Sequence, residues 1–155
     1  MTHSDELRAW RSLLLAQDVV LRAIEDDLRR AGVIDLSWYD VLLEMNAGPD
    51  RRLRMQELAA RTVLSRTRIS RLVDELVDRG FVERHPDPGD GRASFAAITT
   101  AGRAALRAAA PVYAQGIQRH FTSMLTPKEA GVLSSALERV VEAHRTTTVA
   151  QRVRR

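Results

Sequence analysis

The sequence predicts a mainly α-helical chain interrupted by one short β-hairpin. Three observations carry that assignment. Apolar residues recur at helical spacing in successive segments from residue 5 to about residue 141. One stretch, 81–98, instead reads as two short strands around a tip of prolines and glycines. The length of 155 residues, 45% of them hydrophobic, suits one domain or one domain with an oligomerisation arm.

Taken in order, Asp5 to Ala31 form the first helix, with Leu7, Leu14, Leu21 and Leu28 at every seventh position and Trp10, Gln17 and Ile24 in the other seam. At 1.5 Å per residue it would span about 40 Å, more than a small domain covers, so part of its stripe is expected to meet a second chain. Gln17 is the polar seam member. It must find a hydrogen bond, setting register or lining a pocket, and register is the preferred reading. After Gly32, Ser37 is the expected cap of a helix with the stripe Trp38, Val41, Leu42 and Met45, which turns Trp38 toward the core; Gly48-Pro49 end it. Arg51, Arg52 and Arg54 around Leu53 leave room only for an edge strand. Gln56 to Arg61 then make a short helix with no Ser, Thr, Asp or Asn at its start.

The next helix is bounded by Ser65 as cap and Gly80 as terminator, and Ile69, Leu72, Val73, Leu76 and Val77 form its apolar stripe. Phe81 to His85 and Ala93 to Ile98 are the hairpin strands, and the two prolines of 86–91 are expected to keep the tip from pairing. From Thr99 a helix extends to about Met124, with Leu106, Tyr113, Ile117, His120 and Phe121 near one face and a kink or break expected at Pro111. Thr126-Pro127-Lys128-Glu129 opens the last helix with a cap, a first-turn proline and an acid at the third position, and its stripe is Leu133, Leu137, Val140 and Val141. Arg145 to Arg155 is basic and has no stripe. It reads as a flexible tail.

Charge is distributed unevenly along the Ser65–Gly80 helix. Arg61, Arg66, Arg68 and Arg71 come without an acid between them, whereas Asp74, Glu75 and Asp78 follow. The residue three after Ser65 is Arg68, so positive charge is added where the helix dipole is already positive. That arrangement costs stability unless an anion arrives. A phosphate backbone supplies one, met by free N–H groups and guanidinium forks. Arg54, Arg61 and Arg66 are placed as phosphate contacts, with Thr67, Arg68, Ser70 and Arg71 placed for base edges. A solvated charged face is the plainer alternative.

Leu58-Ala59, the Ser65–Gly80 helix, Phe81-Val82-Glu83-Arg84, Asp90-Gly91-Arg92-Ala93 and Ile98-Thr99-Thr100-Ala101-Gly102 follow one another in an order that resembles MarR-type regulators. The resemblance covers roughly residues 36–143. It implies a winged helix-turn-helix with long N- and C-terminal dimerisation helices and a two-stranded β-wing. The resulting divisions are 1–36 for the N-terminal dimerisation helix, 37–98 for the DNA-binding domain, 99–144 for the C-terminal dimerisation helices and 145–155 for the tail. It also implies that the Ser65–Gly80 helix enters the major groove of double-stranded DNA while Arg92, held by Asp90, reaches the minor groove. A homodimer on an inverted-repeat operator, acting as a repressor, is the commoner pattern in such proteins. Phenolic or other aromatic effectors are bound by some of them. Trp10, Trp38 and Tyr39 are the candidates here, although large aromatics at helical spacing are more often plain core.

The remaining composition excludes other classes. The formal charge of +4 suits an anionic partner, but Lys128 is the only lysine, and an arginine-rich coding bias makes local clustering more telling than the total. With no cysteine there is no disulfide framework, zinc-thiolate site or thiol sensor. No run reaches the roughly 18 apolar residues of a membrane span, and Met1 to Trp10 lacks the basic-then-apolar order of a signal peptide, so a cytoplasmic protein is expected. His3, His85, His120 and His144 are dispersed, and no nucleophile motif or carboxylate pair stands in a catalytic context, so neither enzyme, metal centre nor cofactor is expected. The rival is a winged helix used for protein contact, in which Asp74, Glu75 and Asp78 would be the working face.

Overall fold

A computed structural model describes the backbone of residues 3–62, 65–87 and 89–153, and the side chains of these residues except 66, 90–93 and 145–153. The chain divides into two compact units, Met1–Gly116 and Ile117–Arg155.

In the first unit, helix α1 is His3–Arg30, with Asp5 and Glu6 in its first turn and Arg29 and Arg30 in its last, each sign placed against the opposite end of the helix dipole. Only its last turns are buried, through Ile24 and Leu28. Leu7, Leu14 and Leu21 of the heptad stripe stay 56%, 45% and 38% exposed, so this unit leaves most of the stripe uncovered.

Helix α2 is Leu36–Ala47. Its cap is Asp35, not Ser37: the Asp35 carboxylate accepts the Trp38 N–H at 2.9 Å. The earlier start brings Leu36 into the core, and the buried arc becomes Leu36, Tyr39, Val41, Leu42 and Met45. Trp38 is therefore not a core residue. It lies half-buried beside the arc, edge-on to Phe81 at 6.1 Å, with its indole N–H donating to Glu75 at 3.3 Å. An indole with an apolar body and a polar tip fits such a boundary. Tyr39 turns inward instead and meets the Tyr113 ring at 4.5 Å.

A 3-10 turn, Pro49–Arg51, places Asp50 and Arg51 at φ 51° and 57° and feeds strand β1, Arg52–Arg54. Helix α3, Met55–Arg61, starts without an oxygen cap on its first side chain, and Glu57 substitutes by accepting the Arg54 N–H at 3.2 Å. Helix α4 is Arg66–Asp78. Ser65 Oγ accepts the Arg68 N–H at 3.4 Å, and Gly80 closes the other end at φ +72°, a conformation that glycine adopts without a Cβ penalty. Its stripe buries Ile69, Leu72, Val73 and Leu76.

Strands β2, Val82–Asp87, and β3, Asp90–Ile98, form the hairpin, and β1 joins it to give an antiparallel sheet in the order β1-β3-β2. The sheet thus has three strands, one more than the two-stranded wing. Register pairs Leu53 with Ala96, Arg54 and His85 with Phe95, and Pro86 with Ser94. Strand β2 thus runs through Pro86 to Asp87, and the proline does not end it, because β2 is an edge strand whose outer side needs no N–H donor. The register then shifts between Pro86 and Asp87, where Asp87 pairs with Asp90. Leu53, Val82, Ala96 and Ile98 face the core.

Helix α5 is Thr100–His120. Thr99 joins it to the end of α4: its hydroxyl donates to the Gly80 carbonyl at 2.8 Å and accepts the Gly102 N–H at 3.0 Å. Gly102 is required by the close approach, since a Cβ there would strike the Phe81 carbonyl oxygen. Pro111 does not break α5. Arg107, whose carbonyl loses its donor, and Pro111 are both exposed, so water can take that bond.

The second unit begins with the last turn of α5, which ends at His120 rather than Met124, because Phe121 leaves helical geometry before a 3-10 turn at Thr122–Met124. Helix α6, Pro127–Val153, opens as its sequence predicts. Glu129 accepts both the N–H and the hydroxyl of Thr126 at 2.8 Å, and Thr126 Oγ1 accepts the Glu129 N–H at 3.3 Å. Leu133 and Leu137 are half-buried, and Val140 and Val141 are exposed. The helical backbone passes Arg145 and reaches Val153, with no glycine or proline after Gly131 to stop it. The side chains of the expected tail lie outside the described residues.

Candidate nucleic-acid interface

Burial of the α4 stripe decides which side chains the helix presents. With Ile69, Leu72, Val73 and Leu76 inward, Thr67, Arg68 and Arg71 are exposed and Ser70 is half-buried. Ser65, Thr67, Arg68 and Arg71 therefore share one exposed front end. Among the described residues, the guanidinium groups of Arg68 and Arg71 meet no carboxylate. The acids behind them are engaged within the chain. Asp74 Oδ1 is 2.7 Å from Arg84 Nη2, which also donates to the Ser70 carbonyl at 3.4 Å, and Glu75 accepts the Trp38 indole. Arg79 lies over the same indole at 5.6 Å. The acidic back half that the protein-contact reading needs is thereby partly occupied, whereas the basic front half is open.

The other predicted contacts fall in different places. Arg61, at the end of α3, has Nη1 3.9 Å from Glu44 Oε2, a loose ion pair. Arg54 is committed more firmly: its Nη2 is 2.8 Å from Asp87 Oδ2. The side chains of Arg66, Asp90 and Arg92 lie outside the described residues, so the structure places only their backbone, at the start of α4 and of β3. Trp10 is 59% exposed, Trp38 half-buried and Tyr39 buried.

Three participants escape sequence reasoning. Arg84 cancels Asp74, Asp87 holds Arg54, and the Phe95 ring carries the guanidinium groups of Arg52 and Arg54 at 5.0 and 5.4 Å from its centroid. The Arg-x-Arg spacing of β1 was the available signal, because alternate strand residues share a face. Nothing in Pro86-Asp87-Pro88 marks its aspartate as buried.

A cavity of about 500 Å3 opens in the first unit, lined by Leu21, Leu36 and Leu43 with Asp40, Glu44 and Arg68 among its polar residues. Gln17 of the α1 seam also lines it, whereas Trp10, Trp38 and Tyr39 do not. Partial desolvation and then the neighbouring Glu44 charge raise the Asp40 carboxyl from its ordinary value. Burial, followed by the Asp40 charge, raises the hydroxyls of Tyr39 and Tyr113 above 10. Among the described residues no three His, Asp or Glu side chains group as metal ligands, and no helix is long and apolar enough to cross a membrane.

A helical pair, α3 and α4, followed by a sheet hairpin whose third strand precedes α3, defines a winged helix-turn-helix protein. The MarR family model matches residues 32–93. The MarR family regulator Sco3205 of Streptomyces coelicolor, solved in complex with DNA, is 30% identical and superposes with a TM-score of 0.83 over 92% of this chain and 89% of that one. AbsC of the same organism is 28% identical, with a TM-score of 0.82 over 94% and 97%. The multiple antibiotic resistance protein MarR of Escherichia coli is 33% identical over 73 residues, 47% of this chain and 51% of its own. This chain belongs to the MarR family. It spans about half the length of the curated relatives it matches.

Proposed function

We propose that this chain is a transcriptional regulator that binds double-stranded DNA as a homodimer and represses from an inverted-repeat operator. The observation that carries the reading is the charge pattern of α4: Arg68 and Arg71 stand exposed and meet no carboxylate among the described residues, while Asp74 and Glu75 behind them are engaged within the chain. Thr67, Arg68, Ser70 and Arg71 read base edges, with an arginine fork on guanine worth about 1–3 kcal/mol against a wrong base. Ser65, Arg61 and Arg66 serve the phosphates, and Arg92 with Asp90 serves the minor groove. The uncovered stripe of α1 supports pairing of two chains, which would set two half-sites about 34–36 Å apart. The DNA complex of Sco3205 supports the same use of the fold.

An effector acts by favouring one spacing of the two winged domains, a shift in population that releases DNA. The cavity beside α1, α2 and the front of α4 suits this role because Arg68 is on its wall, and aromatic compounds are the class to screen. The test is a salt-titrated binding assay on the chain's own upstream DNA and on duplexes selected from random sequence, with light scattering for mass. Tight binding by a dimer that falls steeply with salt and is lost in Arg71→Ala supports the proposal. Equal affinity for every duplex, unchanged in Arg71→Ala, rejects it in favour of a protein-contact module.

A further inference from the structure

We propose that Asp87 and Arg54 form a strap that positions the wing, and that Arg54 serves DNA binding through Asp87 rather than by touching a phosphate. The DNA half of this inference rests on the regulator reading above.

Arg54 is on β1 and Asp87 on β2, and β3 lies between them. The Arg54 guanidinium crosses that strand over the Phe95 ring, 5.4 Å from its centroid, and comes within 2.8 Å of Asp87 Oδ2. The Asp87 side chain is only 4% exposed. Among the described residues its Oδ2 has no well-angled hydrogen-bond donor, so the guanidinium charge is what balances it, and its Oδ1 accepts the Gly89 N–H at 2.9 Å. A carboxylate so enclosed is costly unless paired. One side chain therefore ties the end of the hairpin to the far edge of the sheet. The tie falls at the register shift of the hairpin, where pairing passes from Pro86–Ser94 to Asp87–Asp90 and the regular ladder no longer sets the direction of the tip. Arg92, the minor-groove residue of the regulator reading, follows Gly89 by three residues in sequence, so the strap restrains the turn that leads to it.

The charge argument points the same way. A guanidinium already neutralised by an enclosed carboxylate has little left for a phosphate. Arg52 shares the Phe95 ring, and the carboxylate it meets among the described residues is Asp50, at 3.5 Å and 80% exposed, so Arg52 is a cation of this face open to DNA.

The experiment compares Asp87→Asn, Arg54→Gln, the double variant and the exchanged pair Asp87→Arg with Arg54→Asp, on the duplex that the wild-type protein selects, over a range of salt. A strap predicts that each single variant weakens binding by about tenfold, the scale of one lost DNA contact. It further predicts an unchanged salt slope, a double variant no weaker than either single one, and partial recovery in the exchanged pair. Tighter binding by Asp87→Asn, a slope reduced by about 0.9 in Arg54→Gln, or additive losses would overturn it, because each marks Arg54 as a phosphate contact. A second arm needs no DNA: amide hydrogen exchange at Gly89 should quicken in Asp87→Asn and in Arg54→Gln while circular dichroism shows both folded. Unchanged exchange overturns the strap even if wild type binds DNA. Quickened exchange in a protein that binds no duplex keeps the strap and overturns its DNA role together with the regulator reading.

Discussion

Removing one hydroxyl should loosen two helices at once. Thr99→Ala deletes the acceptor of the Gly102 N–H, which caps α5, and the donor to the Gly80 carbonyl, which closes α4. An N-cap lost to alanine costs about 1 kcal/mol, and an ordinary hydrogen bond lost beside it costs roughly 0.5–1.5 kcal/mol, so about 2 kcal/mol is expected. For a chain of this size that lowers the melting temperature by about 4–8 °C. The assay is urea unfolding followed by far-ultraviolet circular dichroism at fixed protein concentration, with the m-value checked for constancy. Thr99→Ser is the control, because it keeps the hydroxyl and loses only a methyl. Equal destabilisation by serine and alanine would refute the reasoning, since the methyl and its packing would then be the cause.

Gly80→Ala, at φ +72° with open space around its Cβ position, should cost about 1 kcal/mol from backbone strain alone, read by the same unfolding curves. The only two tyrosines, Tyr39 and Tyr113, should ionise above pH 10 in an absorbance titration, and Asp40→Asn should bring both partway back. Because their folded values are raised, the stability they contribute holds below pH 10 and is lost as pH rises through those values. Glu129 is the opposite case: the Thr126 N–H and hydroxyl hold its carboxyl below 4.5, so its support for α6 is present above pH 4.5 and fades as pH falls through the lowered value. Helix content of Glu129→Gln should lack that acid-dependent step.

How much of this was legible in the sequence depended on distance along the chain. The start of α6 was readable residue by residue, because Thr126 and Glu129 satisfy each other across three positions. The α4 stripe, its Ser65 cap and its Gly80 end were readable for the same local reason. The α2 cap is not legible locally, since choosing Asp35 over Ser37 depends on Leu36 finding a core made by other elements. Spacing alone turns Trp38 inward, whereas distant partners decide the matter: Tyr113 draws Tyr39 in, and Phe81 and Glu75 hold Trp38 at the boundary. The α4 arginines were found as a candidate interface because they are neighbours in sequence. The pairing of Arg54 with Asp87 spans 33 positions and three strands, and local pattern carries no trace of it.

The placement of Trp38 gives the protein a built-in optical probe. Its ring touches Phe81, its N–H meets Glu75 and Arg79 covers one face, so the indole senses the C-terminal end of α4 from outside the helix. Only one other tryptophan, the exposed Trp10, would obscure its emission. A Trp10→Phe background would leave a single fluorophore seated against the helix that carries Arg68 and Arg71, and its spectrum would follow that helix in solution without a label.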